Sequence, residues 1–259
     1  MTITSATTMA AIGLTEVLGD FFPLLIVAAV IAVVVLGWYR QKRRREAIQA
    51  LCRDNGWHYQ PRNDRWARGM RDFFPLFRKG FGRRCTNVVT IPSEPAQTTL
   101  FDYQYKERSG SGKNRSTTTY RYKIALSRMP TPLPELRIDS ENMLTRLAGS
   151  FGFAGLETES EEFNNRFRVN AEDRRTAFAI LNPRMIEFLT DQELENWEIV
   201  GDWLLVASRG RWKLGDYAPV AETTAAFVGH VPDWVWRDHD PNAPADAPAA
   251  DDHGEQGAR

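Results

Sequence analysis

Residues 21–39 read FFPLLIVAAVIAVVVLGWY, and residues 40–45 directly after them read RQKRRR. A helix over the apolar run is roughly 28 Å long at 1.5 Å per residue, against a hydrocarbon core of about 30 Å. The run has no polar stripe, which a core helix of a soluble domain would show. Pro23 falls in the expected first turn, where its missing N–H is harmless. Phe21 and Phe22 at one end, with Trp38 and Tyr39 at the other, match interfacial aromatic belts. The reading is a transmembrane helix over 21–39.

A cleavable signal peptide would carry its positive charge before the apolar run and a small-residue site after it. Residues 1–20 hold no Lys or Arg, only Glu16 and Asp20, and the run ends in a basic cluster. The positive-inside rule therefore makes residues 1–20 a short extracytoplasmic N-terminus. Everything from Arg40 onward lies on the cytoplasmic side of the plasma membrane. Residues 40–56 form a basic juxtamembrane stalk, helical to about Arg53 and stopped by Asn55-Gly56.

The 259-residue chain as a whole has the composition of an ordinary globular protein, 42% hydrophobic and 25% charged, which excludes wholesale disorder. Two cysteines, Cys52 and Cys85, cannot build a disulfide framework or a four-ligand zinc site, and unpaired thiols suit a reducing compartment. A short strand is expected near Trp57–Tyr59. Residues 61–82 mix Arg, Gly and aromatics without a clean period and are expected to form an extended loop with one helical turn. Cys85–Ile91, Thr98–Tyr105 and Thr117–Leu126 have strand character, the last two alternating about a polar Gly-containing hairpin tip. Pro130, Pro132 and Pro134 are expected to form a stiff connector, since proline cannot serve a central strand.

In the second half, Ser140 is expected to cap a helix to about Leu147, and Glu162–Val169 to form a strand. Ala171–Leu181 and Pro183–Leu189 are expected as two short helices. Trp197–Val200 and Trp203–Ala207 flank Gly201-Asp202 as a hairpin, and Tyr217–Val231 forms a helix with Val220, Ala221, Thr224, Phe227 and Val228 inward. Residues 241–259 are expected to be a disordered acidic tail, because they lack large apolar anchors. With no β-α-β alternation, the domain at 57–240 is predicted to be α+β, with a mainly antiparallel sheet and several short helices. Its strand-rich order with a closing helix resembles pleckstrin-homology-like barrels in element order alone; the two mid-chain helices depart from that pattern.

The membrane helix, Asn55-Gly56-Trp57, Arg84-Cys85-Thr86-Asn87-Val88-Val89, Phe101-Asp102-Tyr103 with Tyr105, Gly112-Lys113-Asn114-Arg115, and Glu161-Glu162-Phe163-Asn164 before Arg166-Phe167-Arg168-Val169 together resemble a family of uncharacterised actinobacterial single-pass membrane proteins. The resemblance spans roughly residues 20–210. It implies a membrane-anchored cytoplasmic domain and carries over no catalytic or ligand-binding residue.

Charge is strongly segregated although the net charge is zero. Residues 40–84 hold 14 Lys and Arg against 4 Asp and Glu, and the rest of the chain holds 19 against 29. Beneath an anionic leaflet each nearby cation contributes about 1 kcal/mol. Arg40, Lys42, Arg43, Arg44 and Arg45 are the nearest candidates for lipid head-group contact, followed by Arg65, Arg68 and Arg71. The interleaved Trp66, Phe73, Phe74, Phe77 and Phe81 either dip into the interface or join the core. The opposite charge of the tail raises the question of whether it masks the basic segment.

Nucleic acid could use the same arginines and aromatics, but no recognition motif is present. Ser109–Asn114 lacks the first Gly, the hydroxyl residue and the following helix of a phosphate loop. Glu157, Glu159, Glu161 and Glu162 are clustered acids, read as a solvated edge rather than a metal site. The four histidines fit no zinc pattern, and no catalytic, metal or cofactor signature appears. The sequence therefore points to a membrane-anchored interaction or scaffold module with an unidentified protein partner. The alternative is a membrane-tethered enzyme of unknown class working through Asp102, Glu161, Glu162 and Asn164, which would show as a deep cleft with convergent polar groups.

Overall fold

A computed structural model describes residues 4–140, 155–194 and 196–242. The chain divides into two units, Met1–Leu51 and Cys52–Arg259. The expected helix after Ser140 and the acidic tail beyond residue 242 lie outside the described residues.

A single helix, α1, runs from Thr4 to Asp54. It begins well before the apolar run, so Pro23 sits in its interior rather than in its first turn, leaving one backbone carbonyl without an amide partner. From Leu24 to Tyr39 its apolar side chains are exposed, Leu24 at 62% and Val33 at 70%. It is the one helix among the described residues long and apolar enough to cross a membrane. Its end follows the expected signal: Gly56 adopts φ +68°, and Trp57 N–H donates to the Cys52 carbonyl at 2.8 Å.

The rest is a seven-stranded antiparallel sheet with helices, as the α+β reading anticipates. The strands are β1 (His58–Arg62), β2 (Phe81–Ile91), β3 (Thr98–Ser109), β4 (Ser116–Ser140), β5 (Gly155–Leu156), β6 (Phe167–Ala171) and β7 (Asn196–Arg209). The helices are α2 (Arg65–Gly69), α3 (Glu161–Arg166), α4 (Arg174–Ile180), α5 (Pro183–Asp191), α6 (Tyr217–His230) and α7 (Asp233–Asp238). The last of these, α7, has no counterpart in the sequence reading.

β4 is the spine. β3 pairs with its first half, from Ser109↔Ser116 to Thr98↔Ser127, and β6 pairs with its last five residues. β7 follows both halves along the opposite edge, from Arg209↔Tyr122 to Asn196↔Asp139. Two expectations are corrected here. Pro130, Pro132 and Pro134 are not a connector, because β4 runs through them. Between Arg128 and Leu136 β4 advances eight residues while β7 advances four, from Trp203 to Ile199. The ladder is loose on this longer path, past the end of β3 and before β6, so missing N–H groups are tolerated. Met129, Thr131 and Leu133 turn inward and Pro130 and Pro132 outward, keeping a strand's alternation.

The expected hairpin about Gly201-Asp202 is likewise one strand. Gly201, at φ +59°, forms the bulge opposite Leu133, and the two segments pair with different halves of β4. They still meet: Asn196 Nδ2 donates to the Ala207 carbonyl at 3.0 Å, eleven residues along the same strand. A straight strand would hold those residues roughly 36 Å apart. The ribbon therefore folds back on itself at the bulge, β7 inside and β4 outside. Asn196 Oδ1 also accepts from Ser140 N–H at 3.4 Å.

Glu162–Val169, expected as a strand, instead divides into α3 and β6. Ser160 Oγ accepts from Phe163 N–H, and Glu161 and Glu162 occupy the first turn, a combination that starts a helix. The two mid-chain helices form as expected, with Asn182 capping α5.

Both sheet faces are covered. Phe101, Tyr103 and Tyr105 share one face with Tyr122, Ile124 and Leu126 under Phe74 and Phe77. α6 covers the other: Phe227 stacks on Trp197 at 4.9 Å, and Thr224 Oγ1 meets Thr98 Oγ1 at 2.8 Å.

Replacing Asn196 by Ala leaves the Ala207 carbonyl and the Ser140 amide without their bridging partner. The expected loss is roughly 1–3 kcal/mol in urea denaturation of the detergent-solubilised chain. An Ala at exposed Glu193 is expected to change the midpoint little.

Candidate functional sites: the basic segments and a buried charge cluster

The cations after the apolar run project from a continuous helix. Arg40, Lys42, Arg43 and Arg45 are exposed, and Arg44 is half-buried. Lys42 lies 5.6 Å from the Trp38 ring and Arg43 lies 5.0 Å from the Tyr39 ring, each one turn away, and Arg43 Nε donates to Tyr39 Oη at 2.8 Å. Lys42 also lies 3.8 Å from Glu46. Trp38 and Tyr39 thus present paired aromatic and cationic groups where the apolar stretch ends, the arrangement of a membrane–water boundary.

In the sheet domain, residues 61–82 are more ordered than an extended loop. They hold α2, a 3₁₀ turn at Pro75–Arg78 and the start of β2. Phe74 and Phe77 are fully buried, and Trp66 and Phe73 pack partly against the same core. Burial of Phe74 and Phe77 removes those two from the interfacial alternative, whereas Phe81, 38% exposed, lies under Arg108 at 4.5 Å. The arginines divide by role. Arg78 donates to the Arg71 and Asp72 carbonyls, and Arg83 to the Lys79, Arg78 and Gly80 carbonyls, so both guanidiniums tie down the backbone of this segment. Arg65, Arg68 and Arg71 are exposed, and their guanidiniums enter none of the described hydrogen bonds or ion pairs.

The four polar residues of the enzyme alternative are not brought together. Asp102 is buried on β3, accepting from Asn87 Nδ2 at 2.8 Å and from Trp212 N–H at 3.1 Å. It joins a bulge of β2, where Asn87 sits at φ +52°, to the segment after β7. Asn164 closes a turn on Thr158, accepting from its N–H and hydroxyl and donating to its carbonyl. Glu161 and Glu162 are exposed at the start of α3. Cys52 and Cys85 are buried, and burial pushes their thiols up to about 11 and about 12. Among the described residues no group of three or more His, Cys, Asp or Glu is placed to hold a metal.

A buried charge cluster joins β4 to β7 at residues that no motif in the sequence marks. Arg137 on β4 is 5% exposed; its Nε donates to Glu135 Oε1 at 2.8 Å, and its Nη2 stands 3.2 Å from Glu198 Oε2 on β7. That second contact is an ion pair without hydrogen-bond alignment. Asp139 is also buried, and its Oδ1 has no hydrogen-bond partner among the described residues. One guanidinium therefore serves three carboxylates. Burial raises the Glu198 carboxyl to about 7; Arg137 opposes that rise, Asp139 and Glu135 reinforce it, and Lys79 opposes it least. Asp139 is raised by burial against Arg137. Lys79 is lowered by burial against the pull of Glu107 and Glu198. The available signal was charge inside otherwise apolar strands, Leu136-Arg137-Ile138-Asp139 facing Trp197-Glu198-Ile199. Alternation alone assigns such residues to solvent.

No protein-family model matches the chain, and no curated protein matches it in sequence. Among solved structures its fold is similar to that of the mycobacterial trehalose monomycolate transport factor A, TtfA. The TM-score is 0.53 at 11% identity, over 74% of this chain and 96% of that one. The likeness is one of fold.

Glu198 holds a proton more readily in the folded chain than in the unfolded one. The stability this adds is fully present below the unfolded value of 4.5 and is lost as pH rises through about 7. Denaturation midpoints of the wild type are expected to fall between pH 5 and pH 8. Glu198→Gln should flatten that slope and be the more stable protein at pH 8, by an amount on the order of 1–3 kcal/mol. An unchanged slope would assign the pH dependence to another group.

Proposed function

We propose that the chain is a single-pass protein of the plasma membrane, its N-terminus outside and its α+β domain in the cytoplasm, acting as a non-catalytic interaction module. The observation that carries this reading is the exposed apolar stretch of α1, running without a break into Arg40–Arg45 and ending in paired aromatic and cationic side chains. A helix that exposes this much apolar surface needs a hydrocarbon environment, and cations concentrated at one end set its direction.

The internal use of Asp102 and Asn164 in turn and strand joints supports a binding role over catalysis by those groups. The fold likeness to a trehalose monomycolate transport factor is compatible with a role in transport. Within the reading, Arg40, Lys42, Arg43, Arg44 and Arg45 meet anionic head groups. Arg65, Arg68 and Arg71, exposed and outside the described hydrogen bonds and ion pairs, add a second cationic contact from the sheet domain.

The test reconstitutes the full chain in nanodiscs of neutral phosphatidylcholine or of phosphatidylcholine with phosphatidylglycerol. Amide hydrogen exchange over residues 65–71 is expected to slow several-fold in the anionic discs and to recover in high salt. In Arg65→Gln/Arg68→Gln/Arg71→Gln the difference between discs should vanish. Equal exchange in both discs for the wild type would confine lipid contact to α1.

A further inference from the structure

α5 has two occupied faces and one open face. Met185 and Leu189 are fully buried and Phe188 packs on Trp197, whereas Pro183, Ile186, Glu187, Thr190 and Asp191 line an open groove of about 700 Å³. The opposite wall is the segment leading into α3, with Glu159 and Glu162, and the floor is Leu181 with Phe178 of α4. Phe178 is 46% exposed, among the most exposed large apolar side chains of the sheet domain. The groove lining contains four carboxylates, on both walls, and no Lys or Arg. None of the four takes part in a described ion pair. An apolar floor between two acidic walls is complementary to a segment with an apolar stripe flanked by cations, which an amphipathic helix supplies at i, i+3 and i+4 spacing.

The geometry points to this groove as the docking site for a basic amphipathic helix of a partner protein, its apolar stripe on Phe178 and Ile186 and its Lys and Arg between Glu159 and Glu162 on one side and Glu187 and Asp191 on the other. The identity of the partner class rests on the topology proposed above. A domain tethered at the cytoplasmic face of a membrane is surrounded by the Lys- and Arg-rich juxtamembrane segments of other integral proteins, which the positive-inside rule places there. The groove's charge selects that population and rejects the acidic leaflet itself.

The test uses the full chain in neutral phosphatidylcholine nanodiscs and a fluorescent 16-residue Lys/Leu peptide with its leucines on one helical face. Binding to empty discs is subtracted. Wild type is expected to bind the peptide, more weakly in high salt, and to bind a scrambled peptide of the same composition at least tenfold less tightly. Glu162→Lys/Glu187→Lys should weaken binding about tenfold or more, Glu162→Gln/Glu187→Gln less, and Phe178→Ala several-fold. The Gln pair and Phe178→Ala should keep the wild-type thermal midpoint, and the Lys pair should lower it only slightly, since Lys at position 162 opposes the dipole of α3. Equal affinity across wild type and variants, or equal affinity for the scrambled peptide, overturns the proposal. So does self-association of the chain abolished by the Glu→Lys pair, which would give the groove to a second copy's Arg40–Arg45. Resistance of the same preparations to alkaline extraction from membranes scores the topology separately, so the groove and the anchor can fail independently.

Discussion

The sheet domain depends on one buried amide. Asn196 joins the Ala207 carbonyl to the Ser140 amide, and so ties the far ends of a ribbon that Gly201 has turned back on itself. That closure holds the two halves of the bent β4–β7 ribbon together beside the buried Trp197, Glu198 and Arg137. The eight-to-four difference in residues across the bend is the geometric complement of the same constraint. The outer strand must be longer than the inner one, and the surplus is where three prolines reside.

This explains which parts of the fold were legible. Elements defined by a local cause were readable: the unbroken apolar run, the Gly56 stop, the alternation of β3 with the first half of β4, and the two short mid-chain helices. Elements defined by a distant partner were not. The Pro130–Pro134 stretch carries a connector's signal and becomes strand because β7 and the flanking ladders hold it. Gly201-Asp202 carries a hairpin's signal and becomes a bulge because both flanks find β4 before they find each other. Ser160 was a readable cap, but the apolar spacing of Phe163, Phe167 and Val169 masked it.

The candidate sites divide in the same way. Charge segregation was visible in composition, whereas the separation of Arg78 and Arg83, which hold backbone carbonyls, from Arg65, Arg68 and Arg71, which do not, required the fold. Arg137 and Glu198 lie 61 positions apart in the chain and meet only because β4 and β7 are neighbours.

The fold-back has a further consequence for how copies of the chain coexist. Among the described residues β7 pairs only with β4, so its second edge is the natural place for a foreign strand to add. Closure turns the Ala207 carbonyl on that strand toward the chain's own Asn196. Part of the edge is therefore already occupied from within. Such self-capping guards the edge against edge-to-edge polymerisation by using one of the chain's own side chains.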